Sequence, residues 1–575
     1  MKQNIYQLVS IVLLFLLSGC EDFLNLYPKD TLNPTSYFSS EKELALYTNQ
    51  FYEQMPSAAS GYDQCADDFI RSTLGDALLG QRSPAQENGW NWSMLRHINY
   101  YLENSSNCDN INARNHYDGV AYFMRAYFYY VKVRRYGDVP WYDKVIGSDD
   151  KEALFKARDD RQIVMKHVIE DLDKAIELLP TAHSLYEVTK WSALALKSQA
   201  ALFEGTFRKY HGLDNYEYFL TESANAGRDF IQHSGYMLYK SGSEPYRDLF
   251  ACDIAKSEEV ILARCYTEAQ ALLHTVQYHA NISSDKCSFT RRFINHYLMD
   301  DGTPFTGKPD YKTISYLEET RNRDPRLSQT ILCPGYIQKG NSKVTANTLF
   351  SHTGYQFIKY VMETSYDAYN KSPNDWPIFR SAEVYLNYSE ALAELGTITQ
   401  DDLDISLNLL RDRVGMPHLV LANSNAKPDP YMLECYPNVA KGQNTGVILE
   451  IRRERTIEMC LEGRRYWDMI RWKEGKQFLK PLYGIYFPGE GYYDTTGDGK
   501  INLILYTDTY KKVLGAVARK IGEEVILSEG TSGYVVGLPT VSLRWNEERD
   551  YLYPIPKDER TLSGGVLTQN PGWDD

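Results

Sequence analysis

Residues 448–472 read ILEIRRERTIEMCLEGRRYWDMIRW, and the order of charge along this stretch decides the fold class. Glu450 and Arg453, Arg455 and Glu458, Glu462 and Arg465, and Asp468 and Arg471 are opposite charges three residues apart. On an α-helix each pair shares a face. Between them Ile451, Ile457, Cys460, Leu461, Trp467, Ile470 and Trp472 supply apolar surface to bury. The spacing predicts a helix clamped by ion pairs inside a larger helical scaffold. Glu454, Glu458 and Glu462 also stack at four-residue spacing, and glycosidases work with two carboxyl groups. With so many arginines nearby, these acids would be held ionised and not raised toward the pKa of a general acid.

The same stretch resembles the ERR-x-E-x-x-x-EG-x-R-x-x-D-x-x-R-W signature of the SusD/RagB family, with Thr456 where the signature has its second arginine. Three further blocks resemble that family: RAYFYYVKVRRYGDVPW from Arg125, FRSAEVYLNYSEALAEL from Phe379, and YLYPIPKDER followed by QNPGW, ending at Trp573. The resemblance therefore covers nearly the whole chain. It implies a mainly α, tetratricopeptide-like helical scaffold with a loop-rich, irregular ligand-binding half. It also implies non-enzymatic capture of a nutrient glycan at the cell surface and delivery to a SusC-like TonB-dependent transporter, over which the body closes as a lid. Two rivals are a peptide-binding relative in the RagB manner and a surface glycoside hydrolase, for which Asp67 or Asp68 could be offered.

The N-terminus is read from its own residues. Lys2 gives a positive start, Ile11–Leu17 an apolar core too short to span a bilayer, and Leu17-Ser18-Gly19-Cys20 a small-residue cleavage site ending in cysteine. This pattern resembles a bacterial lipobox, which implies a signal peptide over 1–19, lipidation at Cys20 and a location at the outer membrane. Glu21 and Asp22 resemble the surface-export signal of such lipoproteins. Residues 20–40 read as the lipidated tether and 41–575 as one domain.

Within that domain the helical pattern occupies about 41–233 and 378–475, and the irregular segments about 234–377 and 476–575. From Val120 apolar residues recur at helical spacing for about four turns, and Gly137 with Pro140 stop the helix. Asp159 or Asp160 could cap the next, which Pro180 ends. Another carries Val188, Trp191, Ala195 and Leu202 and ends near Gly205, and a third spans Tyr216 to His233.

Composition excludes some partners. A net charge of -14, from 62 basic and 76 acidic residues, argues against nucleic acid and makes neutral polysaccharide the default ligand, although Arg71, Arg82, Arg291 and Arg292 could converge on a uronate or sulfate. The eight cysteines after Cys20 are scattered without zinc spacing and read as buried thiols. Gly302-x-x-x-x-Gly307-Lys308 has phosphate-loop spacing, but Pro309 supplies no hydroxyl for magnesium. Asp494 and Asp498 resemble the front of a calcium loop whose twelfth position is Leu505, so a polar turn is favoured and no cofactor is assigned.

Sugars need flat aromatic faces and planar hydrogen-bonding groups. Tyr62, Asp63, Asp67, Asp68, Arg71 and Arg82 precede Trp90-Asn91-Trp92, just before a helix at His97–Leu102. By resemblance, Asp68, Arg71, Trp90 and Trp92 are the first ligand candidates, although Trp92 could instead face the core. Tyr266, Tyr278, Phe289, Arg291 and Arg292 form a second candidate patch in the irregular insert.

Overall fold

A computed structural model describes residues 37–59 and 65–573. Cys20, the segments over 1–19 and 20–36, and Tyr62 and Asp63 lie outside the described residues.

The helical scaffold contains α1 (Glu41–Asn49), α2 (Ser93–Asn104), α3 (Ile111–Tyr136), α4 (Arg161–Leu178), α5 (Lys190–His211), α6 (Tyr216–His233), α7 (Ser381–Leu395), α8 (Leu407–Val414), α9 (Thr445–Glu458) and α10 (Arg465–Arg471). Helix α3 packs on α4, α4 on α5, α5 on α6, α6 on α7 and α7 on α9, so successive helices form a continuous layer. Two helices are longer than the sequence pattern indicates. The Asn110 side chain caps α3 by accepting the Ala113 N–H, which starts it nine residues before Val120. Helix α5 runs through Gly205, where a Cβ would meet Leu220 at 2.8 Å; this glycine permits close packing of α6 and does not end the helix. The end comes at Gly212, in the left-handed region at φ 72°.

The irregular half carries short helices and small sheets. Strand β1 (Phe69–Ile70) pairs with β3 (Ser288–Phe289), and β2 (Val260–Arg264) pairs with β4 (Trp376–Arg380). In the C-terminal segment β5 (Tyr483–Phe487) pairs with β9 (Gly533–Val536), while β6 (Gly491–Tyr493), β7 (Leu503–Tyr506) and β8 (Val517–Lys520) make a three-stranded sheet. The apolar interior falls into two clusters, one under the scaffold helices and one inside the irregular half.

The opening stretch joins these two clusters, and it is not one continuous helix. Helix α9 stops at Glu458 because Leu461 (φ 57°) and Gly463 (φ 70°) turn the chain before α10 begins. Ile451 belongs to the scaffold cluster, whereas Ile457, Cys460 and Leu461 belong to the other. Of the four spaced pairs, Glu450–Arg453 (3.1 Å) and Asp468–Arg471 (2.9 Å) form. The other charges pair across the fold. Arg465 holds Asp67 at 2.7 Å and Arg455 holds Asp468 at 2.8 Å. Glu454 receives Arg326 (2.9 Å) and Arg411 (2.7 Å), and Glu462 receives Lys359 (2.7 Å) and Arg380 (2.8 Å). Glu458 receives Arg413 (2.5 Å), Arg380 (2.7 Å) and Arg326 (3.3 Å). Arg326 and Lys359 come from the insert and Arg411 and Arg413 from α8, so these acids tie the two halves together. Burial raises the pKa of all three, but the guanidinium and ammonium groups outweigh it and hold them below the usual carboxylate range.

The eight described cysteines form no disulfide, and six are buried. Asp494 accepts backbone N–H groups from Thr496, Gly497 and Gly499, which makes its loop a polar turn closed by its own backbone. Among the described residues no helix is long and apolar enough to cross a membrane.

Candidate ligand-binding site

The segment before α2 is fixed to α3 by side chains that its own polar residues recruit. Glu87 accepts from Arg135 (2.9 Å), the Tyr136 hydroxyl (2.6 Å) and the Gly89 N–H (2.7 Å). Burial pushes the Glu87 carboxyl up, but the Arg135 bonds outweigh it and keep it ionised. Gly89 has no room for a Cβ, which would lie 2.4 Å from the Tyr136 hydroxyl, and its carbonyl accepts the Lys132 ammonium. Trp90 is thereby seated edge-on to Tyr136, with ring centroids 4.9 Å apart, and to Trp92 at 5.3 Å. Trp92 precedes α2 and packs edge-on to Phe128 at 5.5 Å and Tyr142 at 5.9 Å.

The C-terminal block supplies the opposite wall. Asn570 donates to the carbonyls of Tyr136 and Tyr553, and the Arg82 guanidinium lies between the rings of Tyr553 (4.4 Å) and Trp573 (5.4 Å). The result is a trough of three adjoining pockets, of about 460, 500 and 430 Å³. The first and second share Glu87 and Asn88; the second and third share Trp90, Trp92 and Glu559. Volumes in this range suit small-molecule and oligomer binding. Asn88, Asn91 and Asp558 remain exposed along the trough, while Tyr142, Phe155 and Leu562 extend its apolar end. Aromatic surface beside planar amides and carboxylates is the mixture that sugar rings need.

The structure separates the sequence candidates. Trp90, which is buried, and Trp92, which is half-buried, line the trough, and Trp92 also packs against the scaffold core. Arg71 is instead carried to the insert, where it pairs with Asp285 at 2.6 Å. Tyr278 stands half-buried there, edge-on to the exposed Tyr369 at 5.4 Å, and Tyr266 is half-buried with its hydroxyl accepting the Ala58 N–H. Three charged candidates are corrected to internal struts. Asp68 is 5% exposed, and burial beside the Asp67 carboxylate pushes its pKa up. Arg291 is held by Glu319 (3.0 Å), the Tyr355 hydroxyl (3.2 Å) and the Tyr311 carbonyl (2.6 Å). Arg292 is held by Asp67 (3.2 Å), Gln477 (2.8 Å) and the Cys435 carbonyl (3.1 Å). Phe289 is buried, stacked on Phe293 at 4.1 Å. Sequence reasoning missed the C-terminal wall, although the aromatic content of YLYPIPKDER and QNPGW was its one available signal.

The fold is thus a layered helical scaffold clamped to an irregular half, with a tryptophan-lined trough between α2 and the C-terminal block. The chain belongs to the SusD family, whose model matches residues 258–573. A second family, described as "Starch-binding associating with outer membrane", matches residues 22–202. The chain is similar to SusD-like protein P38 of Formosa agariphila, 22% identical over 510 residues, covering 83% of this chain and 92% of that one. SusD-like protein P2 of the same organism is 24% identical with the same coverage. A SusD-like protein of Bacteroides fragilis superimposes with TM-score 0.68 at 22% identity, covering 94% of this chain and 98% of that one. A SusD-like carbohydrate binding protein of B. fragilis also gives 0.68, at 20% identity and 91% and 98% coverage.

Proposed function

We propose that the protein captures a neutral oligosaccharide or polysaccharide at the cell surface and delivers it to a SusC-like TonB-dependent transporter. A lipid on Cys20 would hold it to the outer membrane. The observation that carries this reading is the trough bounded by Trp90 and Trp92 on one side and the C-terminal block on the other. The family description over residues 22–202 and the printed name of the carbohydrate-binding relative support it. Hydrolysis is disfavoured because Asp67, one of the two acids offered for it, is bonded to Arg465 and Asp68 is buried beside it.

The test uses the chain from Glu21 onward, without lipid, in affinity gels containing amylopectin, laminarin, xylan, mannan or polygalacturonate. Retardation by at least one neutral glycan is expected, with no shortening of that glycan. Trp92→Ala should weaken retention roughly 10-fold, corresponding to about 1–2 kcal/mol of aromatic contact. Chain shortening would make the protein an enzyme; retention by none of the five would turn the assignment to peptide capture.

A further inference from the structure

A second cleft lies at the junction of the two halves, away from the tryptophan trough. Its volume is about 700 Å³, larger than any of the three trough pockets. One wall is the loop from Asp301 to Tyr311, which carries Gly302 and Gly307; the other runs from Pro417 to Glu434. The walls meet at Gly302, whose φ of +84° needs glycine and where a Cβ would stand 3.4 Å from Pro417.

Both walls are held in place from behind. The Tyr311 carbonyl accepts from Arg291 at 2.6 Å, and the Tyr431 hydroxyl donates to the Arg292 carbonyl at 3.4 Å. Arg453 holds Asp429 and also Glu450, the latter at 3.1 Å. The Arg291 side chain and the Arg292 backbone carbonyl thus brace the cleft without entering it.

At the floor lies Arg411, 3% exposed. Its Nε donates to Glu454 at 2.7 Å and its Nη1 to the Pro417 carbonyl at 3.1 Å. Its Nη2 has no hydrogen-bond partner among the described residues and stands 3.7 Å from a Glu450 oxygen. A buried guanidinium donor is costly to leave unpaired, so an oxygen brought to this floor would be stabilised there. Donor and carboxylate side by side match a sugar hydroxyl, which accepts from one and donates to the other. At the mouth, the exposed Asp301 and Glu434 face a single exposed lysine, Lys427, which disfavours phosphate, sulfate and uronate.

We propose that this cleft is a second saccharide subsite, taking a neutral sugar between Tyr311 and Tyr431 with a hydroxyl toward Arg411 and Glu450. It rests on the reading of the protein as a glycan binder, and it adds a second point of attachment for one long chain. Two linked weak sites raise apparent affinity through effective concentration, so the loss of either should be felt on polysaccharide more than on a short oligomer.

The experiment measures retention in the same five gels for the wild type, Trp92→Ala, Tyr311→Ala and Asn423→Ala. Asn423 is exposed on the far wall, so its removal leaves the fold undisturbed. On the neutral glycan that retards the wild type, Tyr311→Ala and Asn423→Ala should each weaken retention roughly 3- to 10-fold, the range of one lost hydrogen-bonding or stacking contact. Wild-type retention by both, with Trp92→Ala alone impaired, overturns the second subsite and leaves glycan capture standing. Retention of the wild type by none of the five overturns both.

Discussion

Glu458→Gln should destabilise the protein by about 3–5 kcal/mol, the usual result of breaking a buried ion pair from one side. Glu458 is fully buried, and Arg413, Arg380 and Arg326 all donate to its carboxylate. Glutamine keeps the shape and one acceptor oxygen but removes the charge. Arg413 then keeps only Glu259, at 3.2 Å, which it shares with Arg380 (2.9 Å), while Arg380 also keeps Glu462 at 2.8 Å. The loss is the cost of leaving guanidinium charge uncompensated in the interior, which differs from the net worth of the intact pair. An all-apolar replacement of the cluster could fold as well as the original, so the variant tests the clamp and not the value of ion pairs in general. Asp498→Asn, on an exposed turn, should shift stability by no more than about 0.5 kcal/mol and serves as the control. Urea unfolding followed by tryptophan fluorescence measures both. A midpoint for Glu458→Gln equal to that of the control would show that this contact does not hold the halves together.

The clamp also marks how far the sequence could be read. Where a helix carries its own period and punctuation, the residues were sufficient: Tyr216–His233 and the stop at Gly137, at φ 73°, are both local features. Spacing failed where the deciding partner is distant in sequence. Glu462 lies three residues from Arg465, but its partners are Lys359 and Arg380, and the turn at Leu461 and Gly463 carries it off the helix. Gly205 looked like a stop because nothing local announces that Leu220 will press against its backbone. The same limit divides the site. Trp90 and Trp92 were legible as an aromatic pair beside amides, whereas the wall opposite them begins more than 450 residues further along the chain. Arg291 and Arg292 were misread as ligand groups because a sequence shows charge but not the Glu319 and Asp67 carboxylates that already hold it.

Stability should be greatest in mildly acidic solution and fall on both sides, for opposite reasons. Glu454, Glu458, Glu462 and Asp468 are buried, which raises their pKa values, but their arginine and lysine partners outweigh burial and lower them in the folded chain. A depressed carboxyl stabilises the fold fully above its unfolded pKa, about 4, and that contribution is lost as pH falls through this value toward the folded one. Several such groups together predict a progressive loss of stability as pH falls below about 4.5. Glu474 has the reverse sign. It is 1% exposed, and burial pushes its pKa up to about 7 despite the nearby Arg452. Between about pH 4.5 and 7 the folded chain therefore binds more protons there than the unfolded chain, and stability declines as pH rises through that window. Glu474→Gln removes this decline. The variant should be more stable than the wild type above pH 7, by on the order of 2 kcal/mol, and no more stable at pH 4.5. Asp68, also raised, leaves a residual slope in the variant. Unfolding midpoints at half-unit steps from pH 3 to 8 test both arms. A flat profile below pH 4.5 would mean that the buried acids are not held ionised by their arginines, and equal slopes for wild type and variant from pH 5 to 7 would place the titrating group elsewhere than Glu474.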